Sequence, residues 1–206
     1  MNNIEHIYIA HCAKLTARGE YIKSILEHPF FLGRTTVNAA TEKDDDVRLA
    51  NSTYQVGVYP QALKRQEICF VEQMFTIFQD IVDKGYSRCL ILEDDFRLAE
   101  GFDQNYERVF SQIPEDASCT FLGTCCGLLA PSDYLSEFFP TQSSRCGIAY
   151  TITREFCEKF LAAKQYFLPL DWHLTHVRNK HNSKFYWSKT ILFIQGSEGV
   201  YPSNIR

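Results

Sequence analysis

Three consecutive carboxylates, Glu93-Asp94-Asp95, stand directly behind the apolar run Cys89-Leu90-Ile91-Leu92. Short apolar runs read as buried strands. Acids massed where such a strand emerges repel one another, and a divalent cation relieves that repulsion. Carboxylate oxygens are hard ligands that suit magnesium or manganese, and these ions in turn hold phosphates. The segment therefore points to chemistry on a phosphorylated substrate. Asp95 is the favoured ligand with Glu93 beside it, because alternate residues of a continuing strand share a face. An acid-rich helix start is the plainer explanation. It accounts for one or two acids, but not for their place behind a buried strand.

Other residues could join that chemistry. His173 and His176 lie three apart on adjacent parts of a helix face, and imidazole accepts manganese. Each could complete a metal shell, or each could be structural. Lys14 and Arg18 sit one helical turn apart and could pair with a diphosphate, or they could line a solvated helix face. Trp172, Tyr150 and Trp187 could stack on a ligand ring, which under the family resemblance given below would be a sugar, although large aromatics more often fill a core. Cys125 and Cys126 are adjacent, but no histidine motif is in place to activate a thiolate.

The positioning elements follow from periodicity and punctuation. Ile4 to Ala10 alternates as a first strand. Lys14 to Leu26 has helical spacing and stops before Pro29. A second strand is expected near Thr35 to Ala39, then a solvated acidic loop from Thr41 to Asp46. Ala62 to Lys84 is the clearest helix, with Ile68, Val71, Phe75, Phe78, Ile81 and Val82 on one face and Gly85 as its cap. The strand Arg88 to Leu92 follows at once. Further strands are expected at Cys119 to Gly123, Gly147 to Ile152 and within Phe185 to Gln195. Pro131 to Phe139 reads as irregular or as a short helix that Pro140 ends. Thr153 caps a helix from Arg154 to about Ala163, and Asp171 to Val177 forms a helical turn or two. Strands that alternate with helices predict an α/β domain with a mostly parallel central sheet. Ligands of such sheets sit beyond the carboxyl ends of the strands, where the three acids would lie.

The chain of 206 residues is long enough for one domain with a sizeable core. A net charge of -4 argues against a nucleic-acid partner. No apolar run approaches the length of a transmembrane span. The first residues lack the basic start and apolar stretch of a signal peptide, so a cytoplasmic location with eight reduced cysteines is expected.

The region from Ala62 to Gly123 resembles the core of glycosyltransferase family 25. That family includes bacterial lipooligosaccharide glycosyltransferases and collagen hydroxylysine galactosyltransferases. Its helix, glycine and strand ending in Leu-Glu-Asp-Asp are similar to Lys84-Gly85 followed by Leu92-Glu93-Asp94-Asp95-Phe96. Later motifs match Leu122-Gly123, Cys146-Gly147-Ile148-Ala149-Tyr150-Thr151-Ile152, Pro169-Leu170-Asp171 and Gln195-Gly196-Ser197 through Ser203-Asn204-Ile205. The chain departs from the family at Gln73-Met74, where Ser-His is usual, and at His11-Cys12, where Asn-Leu is usual. The resemblance implies a single GT-A-like domain and a nucleoside-diphosphate sugar donor. The acceptor would be a glycan, a lipid-linked saccharide or a protein, and the sugar would transfer with inversion, aided by Mn2+ or Mg2+. It implies Asp171 as the base that takes the acceptor proton, with helix capping as the alternative. Lys14, Arg18, Glu93 and Asp94 would meet the donor. A metal-dependent phosphohydrolase and a non-catalytic sugar-nucleotide-binding module are the rival readings.

Overall fold

The computed structural model describes residues 4–41, 44, 46, 63–125, 127–144, 147–163 and 168–198. Ala62, Cys126, Cys146, Ser203, Asn204 and Ile205 lie outside the described residues. In chain order the elements are β1 (His6–Cys12), α1 (Thr16–Ile25), β2 (Thr35–Ala40), α2 (Arg65–Lys84), β3 (Arg88–Glu93) and β4 (Phe96–Leu98). Then come α3 (Phe102–Ser111), β5 (Ala117–Phe121), β6 (Gly123–Thr124), β7 (Phe138–Thr141) and β8 (Ala149–Thr153). The described part closes with α4 (Arg154–Ala162), α5 (Leu170–His181), β9 (Lys184–Ser188) and β10 (Phe193–Gln195).

Seven strands form the central sheet in the order β2-β1-β3-β8-β5-β9-β7. β2, β1, β3, β5 and β9 run in one direction, whereas β8 and β7 run against it. The sheet is therefore mostly parallel in strand direction, with an antiparallel strand inserted at its centre. A second small sheet, β4-β10-β6, packs beside the acidic turn.

The sheet is buried on both faces, which is why its strands read as unbroken apolar runs. On β3, Cys89 and Ile91 join a core with α2, α4 and α5. Leu90 and Leu92 point the other way, into a core with α1 and α3. Glu93 continues the face of Cys89 and Ile91 by the two-residue period and is aimed towards α5. α2 packs Val71, Met74, Phe75, Ile77, Phe78 and Ile81 against the sheet. Its first turn is fixed by Glu67, whose carboxylate accepts from the Lys64 amide at 2.7 Å. Gly85 closes it at φ 73°, a left-handed geometry that costs glycine nothing.

Four expectations change. The strand ends at Glu93, and Asp94-Asp95 form a turn into β4, so the two alternate acids do not share one continuous strand. Pro140 lies within β7 rather than ending a helix; β7 is the last strand at its edge of the sheet, where a missing N–H is tolerated. Cys125 is in a disulfide, while Cys12, Cys69, Cys89, Cys119 and Cys157 are free. The expectation of eight thiols fails at Cys125, and that sulfur is no candidate nucleophile. α5 is also longer than one or two turns, because Leu170, Leu174 and Val177 give it an inward stripe.

Candidate active site

The carboxyl ends of β1, β2 and β3 open into a cavity of about 270 Å³. Its walls include Cys12, Lys14 and Arg18, the first turns of α2 at Gln66, Cys69 and Phe70, and the acids Glu93, Asp94 and Asp95. Gln73 ties α2 to the sheet at this end. Its Nε2 donates to the Asn38 carbonyl at 2.6 Å and to the His11 carbonyl at 3.3 Å.

The three acids have separate environments. Asp94 is bound within the fold. Its Oδ2 accepts from His11 Nδ1 and from the Cys12 amide, both at 2.9 Å. Its Oδ1 accepts from Arg18 Nη1 at 2.5 Å. An ionised carboxylate only accepts, so Nδ1 of His11 carries the proton. Burial by itself would raise the Asp94 pKa, but the bonds from His11, Cys12 and Arg18 bring it below the ordinary value. Asp94 and Arg18 were expected to meet the donor. Both are largely buried and paired with each other, and both still border the cavity.

Asp95 is 5% exposed and its Oδ1 has no hydrogen-bond partner among the described residues. Oδ2 accepts from Gln195 Nε2 at 3.3 Å, and the Asp95 carbonyl accepts from the Gly196 amide at 2.6 Å. β10 thus delivers Gln195-Gly196 to the acidic turn, which explains why these distant motifs serve one site.

Glu93 meets Asp171. A Cβ on Gly147 would lie 2.8 Å from Glu93 Oε1 and 3.4 Å from Asp171 Oδ1, so the two carboxylates converge where Gly147 has no side chain. Burial, then the charges of Asp95 and Asp171, push the Glu93 pKa well above the usual value. The Glu93 amide donates to the Ile148 carbonyl at 3.0 Å, which fixes the strand end to this segment. Asp171 lies in the first turn of α5, whose cap is Pro169, so it does not cap the helix. Asp171 is exposed as a residue, while its carboxyl group stands among Glu93, Ser144 and the Gly147 backbone, which crowd water from it. That burial raises its pKa, and the bond from Ser144 Oγ to Oδ1, at 2.5 Å, partly opposes the rise.

The histidines do not join this set. His173 is buried, stacked on Phe160 at 4.2 Å between centroids and edge-on to Phe75 at 5.7 Å. Burial depresses its pKa to about 4, so it is neutral and part of the core. It faces the α2–α4 core, away from the acidic turn. His176 is one turn further on and only partly buried. Among the described residues no group of three His, Cys, Asp or Glu side chains could by itself hold a metal ion. Magnesium-type sites commonly use one or two carboxylates and fill the rest with phosphate and water. The orphaned Oδ1 of Asp95 fits that sparser arrangement; the four-ligand set expected from Asp95, Glu93, His173 and His176 does not assemble. Lys14 is exposed at the cavity wall just ahead of α1. Of the three aromatics, Tyr150 and Trp187 are core, whereas Trp172 is exposed.

The sequence reading passed over His11 and Ser144. His11 replaces a customary asparagine in the resembling family, and that departure was the available signal. Ser144 had none, because its partner lies 27 residues away on another element.

The fold and site define a mixed α/β domain with a carboxylate-rich cavity at the strand ends. No family model and no curated protein matches the chain. Two solved structures are similar in outline. A197 from STIV is 13% identical, with a TM-score of 0.47, over 91% of this chain and 83% of its own. Mouse xyloside xylosyltransferase 1, in its apo form, is 12% identical, with a TM-score of 0.42, over 87% of this chain and 83% of its own.

Proposed function

We propose that the chain is a metal-assisted glycosyltransferase of the family 25 type. It would move a sugar from a nucleoside-diphosphate donor to a hydroxyl of a glycan, lipid-linked saccharide or protein, with inversion. The observation that carries this reading is the gathering of Glu93, Asp95 and Asp171 beside a cavity at the carboxyl ends of the central strands. Mn2+ or Mg2+, when bound, would neutralise charge on the departing diphosphate. Asp95 would hold the ion through its unpartnered Oδ1.

The chain's own groups would do the rest. Asp171 takes the acceptor proton at Oδ2, since Oδ1 is held by Ser144. Its raised pKa makes it a stronger base than an ordinary carboxylate. Glu93 keeps its proton to higher pH than a free side chain and can donate a hydrogen bond to a donor or acceptor oxygen. Lys14 supplies positive charge at the cavity wall for the phosphates. The Asp94–Arg18–His11 cluster contributes rigidity, holding the turn that aims Asp95. No described helix is long and apolar enough to cross a membrane.

Donor hydrolysis and transfer with manganese test the reading. Asp95→Ala should lose metal-dependent turnover, and Asp171→Asn should lose transfer while still binding donor. Wild-type activity in both variants would sink the assignment. The confinement of Arg18 within the fold favours one second reading, a sugar-nucleotide-binding module without turnover. Calorimetry that detects sugar-nucleotide binding in a protein with no transfer would support it.

A further inference from the structure

One wall of the cavity is a single stripe of α2. Gln66, Cys69, Phe70 and Gln73, spaced three and four apart, all border it. Gln66 is exposed, Phe70 half-buried and Gln73 only 5% exposed, so the stripe runs from the mouth of the cavity inwards. On the sheet side the cavity meets small side chains, Ala10 and Cys12 of β1 with Ala40 of β2.

The Gln73 amide can sit only one way round. Its Nε2 donates to the carbonyls of Asn38 and His11, at 2.6 and 3.3 Å, and to Asn38 Oδ1 at 3.0 Å. A carbonyl accepts and never donates, so the reversed amide would set oxygen against oxygen. Oε1 is therefore a fixed acceptor, and among the described residues nothing donates to it. Gln73 is also one of the places where the chain departs from the family it resembles, so this acceptor is a feature of the chain itself.

The walls and the acceptor together restrict what can enter. An aliphatic chain would suit Ala10, Ala40 and Phe70 but would leave Oε1 buried and unpaired. A bare saccharide would set its hydroxyls against apolar walls. An aromatic heterocycle with an N–H at its edge satisfies both. Joined to a diphosphate, it would also meet Lys14 and Asp95, which border the same cavity.

We propose that Gln73 is the base-recognition residue of this cavity: a nucleobase lies between α2 and the ends of β1 and β2, and an N–H of its pairing edge donates to Oε1. The proposal rests on the transferase reading for the diphosphate; the contact from base to Gln73 needs no transfer.

Calorimetry with UDP, CDP, ADP and GDP in the presence of manganese finds the nucleotide that binds tightest. That nucleotide is compared with its base-methylated counterpart, in which methyl groups replace the N–H hydrogens of the pairing edge. Both are titrated into wild type and Gln73→Met. Wild type should bind the methylated form at least about tenfold more weakly. Gln73→Met should bind the two forms alike, a result that a purely structural role for the side chain would not produce. Equal binding of the two forms by wild type, or a difference that persists in Gln73→Met, overturns the proposal and leaves the transferase reading standing. Pyrophosphate with manganese binding as tightly as every nucleotide also overturns it, because the base then has no site. If Gln73→Met does not fold, the wild-type comparison alone decides. If the bases are read through Gln73 but no sugar is transferred, the transferase reading fails and the proposal stands.

Discussion

Replacing Arg18 with methionine tests the central electrostatic feature of the site. Arg18 and Asp94 have side chains only 10% and 9% exposed and meet at 2.5 Å. Removing one member of a buried pair leaves the other charge without compensation and costs about 3–5 kcal/mol. Asp94 keeps the His11 and Cys12 donors, which places the loss near the lower end, about 3 kcal/mol. In a chain of this length each kcal/mol moves Tm by about 2–4 °C, so Arg18→Met should melt roughly 6–12 °C lower at pH 7. Arg18→Met with Asp94→Asn removes both charges and should recover at least half of that loss. The pH dependence has a definite sign. A carboxyl with a depressed native pKa stabilises the fold above its unfolded value, near pH 4, and loses that contribution as pH falls through the native value. The gap between wild type and Arg18→Met should therefore narrow in acid. Calorimetry of the free protein is the assay. A fall in Tm of less than about 2 °C would refute the buried-pair account. If Arg18→Met then also lost its thermal response to UDP with manganese, Arg18 would be a donor-binding residue instead.

Three further outcomes follow from other contacts. Gly147→Ala puts a methyl 2.8 Å from Glu93 Oε1, so turnover should fall at least tenfold with a stability loss of about 1–3 kcal/mol; unchanged kcat would show that the carboxylates need no such gap. Glu93→Gln should raise Tm at pH 7, because a carboxyl with a raised native pKa destabilises the fold as pH rises from its unfolded value towards its native one; the advantage should shrink below about pH 4, and a lower Tm at pH 7 would contradict the assignment. His173→Phe should leave manganese-dependent activity intact and change stability by less than about 1.5 kcal/mol, since the ring is a neutral member of an aromatic stack; loss of metal response would restore it as a ligand.

Much of this arrangement was legible from local signals. α2 is an amphipathic helix closed by Gly85, and β3 is an apolar run; both are set by neighbours in sequence, so their limits came out nearly right. The convergence on Asp95 was legible only as separate motifs, because the pairing of β10 with β4 joins residues about a hundred positions apart. The pairing of Asp94 within the fold was not legible for a physical reason. Position after a strand says that an acid reaches the cavity, but not whether a cation from α1 arrives first. For His173 the ligand and core readings both stood open, since its helical spacing to His176 is equally good for either, and the fold puts it in the core. The antiparallel course of β8 has no local signature, because a strand buried on both faces looks the same in either direction.

That course has a consequence for how the chain assembles. Among the described residues of the central sheet, β2, β1 and β3 form one block and β5, β9 and β7 another, and within that sheet β8 alone bridges them. Until residues 149–153 emerge from the ribosome, the β3 edge stands with open amide and carbonyl groups, a template for pairing with other nascent chains. Glu93 and the Gly147-Ile148 step flank this closing seam. The approach of Glu93 to Asp171 across Gly147 is thus completed when the two halves of the sheet are joined, and a fragment ending before β8 should aggregate instead.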